Sequence, residues 1–401
     1  MNILVVSQYF YPEEFKINDL VAELVKRGHQ VTVLTGKPNY PKGTIFEGYK
    51  QWGVQRETVF GATVIRVPIV PRHNGRAPWL LLNYLSFQLS SCLYAWTHRM
   101  SFDKIFCWDT SPINQVRAGI IAKKKCHASL SIWVQDLWPE SVSATVPRLN
   151  KAWIMKPLLR FVRNTYKHFD TIFVQSPAFI PSIKEKGDFK ARYVLAPNWA
   201  EDLYTDPTLI DPQRYKSLIP EGFIVMFAGN HGTAQGFNYI LKAAELTKDH
   251  PEIKWVFVGD GRAKHDAELL AASKGLSQTV TFLGRHSITE MPSLFVHADV
   301  MLISLIKHPI FAMTIPGKTQ TYMAARKPIV TIMDGVGNDV VNKAQCGLTA
   351  GAEDYEALAR NVITLSQTNR DELLAMGQRA GDYYRENFSR DSVVSRIIEN
   401  L

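Results

Sequence analysis

Two patterns of apolar positions alternate along most of the chain. Short apolar runs at Asn2–Ser7, Gln30–Thr35, Thr63–Pro68, Lys104–Trp108, Ala128–Val134, Thr171–Gln175 and Arg192–Leu195 read as strands. Between most of them, apolar residues recur every three or four positions, as in Asn18–Arg27, and read as amphipathic helices. Strands separated by helices predict a parallel sheet covered on both faces. A second alternation runs through Phe223–Ala228, Lys254–Gly259, Thr279–Leu283, Val300–Ser304, Pro328–Met333 and Gly347–Ala350, with helices such as Phe237–Asp249 and Tyr355–Ser366 between. Ala196–Glu221, with prolines at 197, 207, 212 and 220, lacks sustained periodicity and reads as a connection. The expected fold is therefore α/β: two doubly wound, Rossmann-like domains, residues 1–197 and 222–387, joined by a linker at 198–221 and facing each other across a cleft. The last amphipathic stretch, within 388–401, is expected to pack back on the first domain.

One segment breaks the pattern. No residue between Arg76 and Arg99 carries a formal charge, and Trp79–Leu82, Leu85, Phe87, Leu89, Leu93 and Trp96 make it strongly apolar. Three readings stay open: a buried or half-buried domain helix, a helix docked at a membrane interface, and a bilayer span. Asn83, Ser86 and Ser90 form a polar stripe that argues against the span. Trp and Tyr near the ends, with Arg72, Arg76, His98 and Arg99 flanking, favour docking over spanning.

Charge sharpens the division into halves. Of the 46 Lys and Arg residues and 37 Asp and Glu, residues 1–200 hold 26 and 13, so a basic first domain precedes a slightly acidic second one. The basic half suits anionic lipid or polyphosphate. No aromatic-interleaved basic stripe points to nucleic acid. The four cysteines have no C-x-x-C spacing, which fits a reducing cytoplasm. The Met-Asn-Ile-Leu-Val-Val-Ser start lacks the basic region of a signal peptide.

The candidate chemistry lies in strand-to-helix loops of the second half: Ala228–Gly236 with three glycines, Gly259-Asp-Gly-Arg262, Gly284-Arg-His286, and the helix start Thr314-Ile-Pro-Gly-Lys318. Pro316 suits a first helical turn and Gly317 admits close approach of a ligand. Lys318 opposes the helix dipole unless an anion sits between it and the free amides, so the loop reads as a phosphate site. The turn after the first strand, Ser7-Gln-Tyr-Phe-Tyr-Pro-Glu-Glu-Phe15, has no glycine, which removes the dinucleotide fingerprint. P-loop and D-x-D patterns are also missing, as is metal-ligand spacing. What remains is nucleotide chemistry in which side chains and helix dipoles handle phosphate charge, with no metal or other cofactor expected.

These loops, together with Tyr11-Pro-Glu-Glu14, Pro38–Gly43, Trp133-Val-Gln-Asp-Leu-Trp-Pro-Glu-Ser141 and Ala196-Pro-Asn-Trp199, resemble retaining glycosyltransferases of the GT-B fold, family 4. The likeness extends to the bacterial L-fucosamine transferase group of surface-polysaccharide assembly. It implies a UDP-sugar donor, such as a UDP-linked N-acetylated deoxyamino sugar, bound mostly by the second domain. The acceptor implied is a lipid-linked saccharide of O-antigen or capsule type, met by a peripheral enzyme at the inner face of the cytoplasmic membrane. Lys318 would meet the diphosphate. Gly229, Asn230, Gly259, Asp260, Gly261, Arg285, His286, Thr314, Ile315, Gly317, Gln320 and Thr321 would surround the donor. Asp136 occupies the Asp of the family's His-Asp pair, with Gln135 in the His position, and Tyr11, Glu13, Gln135, Trp138 and Glu140 would face the acceptor.

The departures are specific. Where the family keeps two glutamates around the donor helix, this chain has Ala312 or Met313 and Thr321; the Arg and Lys usual on the first loop of the second domain are also absent. With no acid near the donor sugar, front-face displacement is expected instead of a covalent intermediate. Two other readings stand beside the transferase: a degenerate GT-B subunit that scaffolds glycan assembly, and a sugar-nucleotide 2-epimerase.

Overall fold

The computed structural model describes residues 1–145 and 151–401. The chain divides into two compact units, Met1–Ala196 with Val394–Leu401, and Pro197–Val393.

The first unit is built on an eight-stranded sheet. Its strands are β1 (Asn2–Val6), β2 (Gln30–Gly36), β3 (Gln55–Val59), β4 (Ala62–Val67), β5 (Lys104–Asp109), β6 (Ser129–Val134), β7 (Thr171–Val174) and β8 (Arg192–Leu195), in the order β3-β4-β2-β1-β5-β6-β7-β8. Every pairing is parallel except the β3–β4 hairpin. Helices on both faces bury runs such as Ile3–Val6 and Ile105–Trp108, which is why these strands read as continuous apolar stretches. The edge strand β3, Gln-Arg-Glu-Thr-Val, is half exposed along its length and gives no such signal. The C-terminal helix, Arg390–Glu399, ends on this unit. Ser395 Oγ accepts from Arg27 at 2.8 Å, and Arg396 donates to the Leu195 carbonyl at 3.0 Å.

The uncharged segment forms the helix Ala77–Thr97, packed on this sheet with its polar stripe inward. Asn83 is fully buried; its amide donates to the Val70 carbonyl at 2.7 Å and to Asn39 Oδ1, and its Oδ1 accepts from Gln8 at 2.7 Å. Ser86 Oγ accepts from Val70 N–H. Hydrogen bonds to neighbouring loops satisfy these groups, so the polar stripe is the anchor and the leucines point outward. Among the described residues no helix is long and apolar enough to cross a membrane.

The second unit holds a six-stranded, wholly parallel sheet: β9 (Phe223–Ala228), β10 (Ile253–Val258), β11 (Val280–Gly284), β12 (Val300–Ser304), β13 (Ile329–Ile332) and β14 (Gly347–Ala350), ordered β11-β10-β9-β12-β13-β14. The order reverses between β9 and β12. Loops at the carboxyl ends diverge there and leave a crevice, the place where doubly wound sheets hold ligands. Residues expected as a bare linker pack on this unit: Tyr215 is buried in its core and donates to Glu290 at 2.6 Å, and Ser293 Oγ accepts from Asp211 N–H. The 18-residue helix Arg370–Asn387 was hidden by a polar, glycine-interrupted sequence.

Candidate functional site

A cavity of about 470 Å³ opens at the carboxyl ends of β9, β10 and β11, beside the helix Gly317–Ala324 that follows β12. Its polar lining includes Gly229, Asn230, Gly259, Asp260, Arg285, His286, Lys318 and Thr321; its apolar lining includes Tyr204, Ile288, Met291, Phe295 and Tyr322. Three adjacent parallel strands place three consecutive loops side by side, so residues dozens of positions apart meet on one rim.

The loops fit because glycine backbones pack against one another. Gly259 has φ of +135°, and a Cβ there would lie 1.9 Å from the Gly229 carbonyl. Gly229 has φ of +130°, and a Cβ would fall 3.0 Å from Lys318 Cε. Alanine at either position is strained in backbone and in contact. Tyr322, one turn beyond Lys318 on the same helix, locks the end of β9: its hydroxyl accepts from Ala228 N–H and donates to the Ala228 carbonyl, both at 3.0 Å.

Lys318 is the electrostatic centre. Its amine lies 4.8 Å from the centroid of the Phe227 ring, and among the described residues it has no hydrogen bond or ion pair. Burial pulls its pKa down to about 8. The neighbouring His231 is fully buried, and burial lowers its imidazole to about 4, so it is neutral near pH 7. The cavity's carboxylate, Asp260, accepts from the Gly261 N–H at 2.8 Å. A cation partly removed from water, with no acid paired to it among the described residues, leaves a charge that an anion would neutralise. The helix start beside it adds its free N–H groups and the positive end of its dipole.

Eight of the thirteen residues expected around the donor line this cavity. The other five do not. Gly261 packs against the His231 carbonyl, Thr314 Oγ1 donates to the Ile310 carbonyl at 2.8 Å, and Ile315 is core. Gln320 is buried with its amide facing the Pro316 and Gly317 carbonyls, and Gly317 is exposed at the first helical position. Pro316 is the residue preceding the helix, at ψ of 139°, and not part of its first turn. Sequence reasoning missed the apolar wall. Tyr322 was detectable by its four-residue spacing from Lys318, whereas Tyr204 sits in a segment without periodicity.

The residues expected to face an acceptor lie in the first unit, beyond the carboxyl ends of β1 and β6. Tyr11 is exposed. Glu13 is neither a solvated acid nor an open ligand: it is buried, with Oε1 accepting from the N–H groups of Asn39 and Tyr40 at 2.8 and 2.7 Å and Oε2 from Phe10 N–H. Burial raises its pKa to about 7 against the pull of those amides. It braces the Asn39–Tyr40 loop. Asp136 Oδ2 accepts from the N–H and hydroxyl of Ser111 at 3.0 and 2.9 Å, and Trp138 donates to that hydroxyl at 3.1 Å, so these two residues hold one turn. Gln135 is buried, and its N–H donates to the Asp109 carbonyl. Glu140 is tied to the buried Lys186 at 2.7 Å.

Comparison with known proteins gives consistent matches. Residues 15–199 match the family model "Glycosyl transferase 4-like domain", and residues 222–368 match "Glycosyl transferases group 1". WcaI of Escherichia coli K12, named for colanic acid biosynthesis, is 26% identical over 315 residues, 76% of each chain. WbjE of Pseudomonas aeruginosa, named as a glycosyltransferase, is 25% identical over 64% of each. Among solved structures, sucrose-phosphate synthase from Thermosynechococcus elongatus superposes with a TM-score of 0.72 over 99% of this chain and 97% of that one, at 16% identity. HepE of Anabaena, solved with UDP and glucose, gives 0.66 over 100% and 98%, at 17% identity.

Proposed function

Because the chain belongs to the group 1 glycosyltransferases, with their GT-B arrangement of two Rossmann-like units, we propose that it moves a sugar from a UDP-sugar onto a lipid-linked glycan in surface-polysaccharide synthesis. The observation that carries the reading is Lys318, a half-buried cation with no hydrogen bond or ion pair among the described residues, in a cavity of nucleotide size. A diphosphate would sit between Lys318 and the amides of the Gly229–Asn230 and Gly317–Lys318 turns. The nucleoside would lie against Ile288, Met291 and Phe295, with Arg285 and His286 at the rim. The UDP bound by HepE and the colanic acid pathway in the name of WcaI support this choice of donor and pathway. The sugar proposed, an N-acetylated deoxyamino sugar such as N-acetyl-L-fucosamine, rests on the sequence resemblance.

The proposed chemistry follows from what lines the cavity. Thr321 stands where an acid would grip the ribose, and Asp260 is engaged by its own loop. With no carboxylate nucleophile at hand, the sugar C1–oxygen bond to the diphosphate breaks as the acceptor oxygen bonds C1 on the same face. The acceptor proton passes to the departing diphosphate, and stereochemistry is retained. Lys318 stabilises the charge that develops there, without a metal ion. Asp136 would orient the acceptor hydroxyl.

The test is turnover. Purified protein is incubated with a panel of UDP-sugars and a polyprenyl-diphosphate monosaccharide in EDTA, with product read by mass spectrometry and anomer by NMR. Transfer with retained configuration is expected. Transfer only from ADP- or GDP-sugars would overturn the donor assignment, and transfer that appears only when excess divalent ion is added would overturn the metal-free chemistry.

A further inference from the structure

The Ala77–Thr97 helix is an apolar helix mounted inside out. Asn83, Phe87, Ser91, Tyr94 and Ala95 face the domain, while Leu81, Leu82, Leu85, Leu89, Leu93 and Trp96 face outward, Leu89 at 69% and Trp96 at 72% exposure. At ~1.5 Å per residue the stripe from Leu81 to Trp96 is roughly 24 Å long, a contiguous apolar face of the kind that marks an interaction site. Hydrogen bonds of Asn83 and Ser86 to surrounding loops hold the helix in this orientation, so the leucines cannot turn inward.

Charge identifies what covers the face. Arg76 and Arg99 bracket the helix, and between Arg72 and His127 the chain carries eight basic residues against two acidic ones. Right-handed crossovers from β4 to β5, β5 to β6 and β6 to β7 put Ala77–Thr97, Arg117–Cys126 and Ala152–Tyr166 on one face of the sheet. The third of these adds Trp153, 73% exposed, with Lys156 and Arg160; Arg117 stacks on its Phe161 at 4.7 Å. A leucine and tryptophan face with a cationic rim complements an anionic bilayer surface, whose headgroups meet the arginines while its acyl boundary takes the leucines. A second copy fits poorly, since the helix carries no carboxylate to meet the partner's arginines and the two basic rims would repel.

We propose that the outward face of Ala77–Thr97 is a docking surface for anionic lipid, lying in the plane of the membrane interface. This gives the membrane partner of the proposed function a location; it rests on that reading for the acceptor alone, not for the docking.

The experiment is co-sedimentation of the full chain, without nucleotide, with vesicles of phosphatidylglycerol and phosphatidylethanolamine or of phosphatidylcholine alone. The protein is expected to pellet with the anionic vesicles, less so as salt is raised. Leu89→Glu/Leu93→Glu/Trp96→Glu should reduce partitioning at least about tenfold, and the milder Leu89→Ala/Trp96→Ala should lower it several-fold, both with unchanged thermal melting because the positions are exposed. Arg76→Glu/Arg99→Glu should erase the preference for anionic lipid. Wild type left in the supernatant, folded variants that pellet like wild type, or a self-association abolished by the glutamates without vesicle binding would each overturn the proposal. Because no nucleotide is present, failure here leaves the donor assignment standing, and failure of UDP binding leaves this one standing.

Discussion

Replacing Lys318 with methionine should make the empty protein more stable while destroying the site. The side chain is half-buried, its amine faces the Phe227 ring, and no acid offsets its charge among the described residues. A pKa lowered from 10.5 to about 8 corresponds to a penalty of ~3 kcal/mol for keeping the cation in the folded state at pH 7. Methionine fills similar volume and contacts the same ring without that cost. Lys318→Met is therefore expected to raise the melting temperature of the second unit by roughly 5–10 °C at pH 7.

The sign of the pH dependence follows from the same shift. Below about pH 8 both folded and unfolded wild type hold the proton and the penalty is complete. Between pH 8 and 10.5 the folded state has released it and the unfolded state has not, so wild-type stability rises relative to the variant and the gap closes. Calorimetric melts of both proteins at pH 7 and pH 10 measure this. A saturating anion should close most of the gap at pH 7, since UDP at a hundredfold its dissociation constant stabilises the protein that binds it by ~2.7 kcal/mol, close to the penalty itself. Equal or lower stability of Lys318→Met at pH 7, or a gap unchanged at pH 10, would refute the claim of an uncompensated buried cation.

Gly229→Ala should displace Lys318, because the added methyl lies 3.0 Å from its Cε at a φ of +130°; a loss of UDP affinity of at least about tenfold is expected by calorimetry, with the fold retained by circular dichroism. Glu13, with its folded pKa raised from 4.5 to about 7, contributes stability that is complete below pH 4.5 and is lost as pH rises towards 7. Glu13→Gln should flatten that slope, worth ~2–3 kcal/mol, in melts between pH 4.5 and 7; a slope unchanged in the variant would show that another group sets it.

Much of the second unit was legible because its β-strands are apolar runs and the loops after β9, β10 and β11 carry glycine. The strands β9, β12 and β14 fall where periodicity predicted them, and the loops after β9, β10 and β11 meet at one cavity because sheet order places those strands together. Sheet order itself is not written in any local pattern, which explains why the apolar wall of Tyr204, Met291 and Phe295 was invisible. Burial was misread wherever polar groups found partners inside. Glu13 was expected to face the acceptor and is an acceptor for three backbone amides, and the stripe of Asn83 and Ser86, read only as an argument against a span, faces in. In both cases loops distant in sequence supply the partners.

UDP binding itself is the most direct test that this cavity is a donor site. Titration by calorimetry at pH 7 in EDTA should give one site on wild type, with affinity reduced by at least about tenfold in Lys318→Ala, as expected for loss of a charge-assisted hydrogen bond of ~1.5–3 kcal/mol. No heat at millimolar UDP, or equal affinity in the two proteins, would contradict the account.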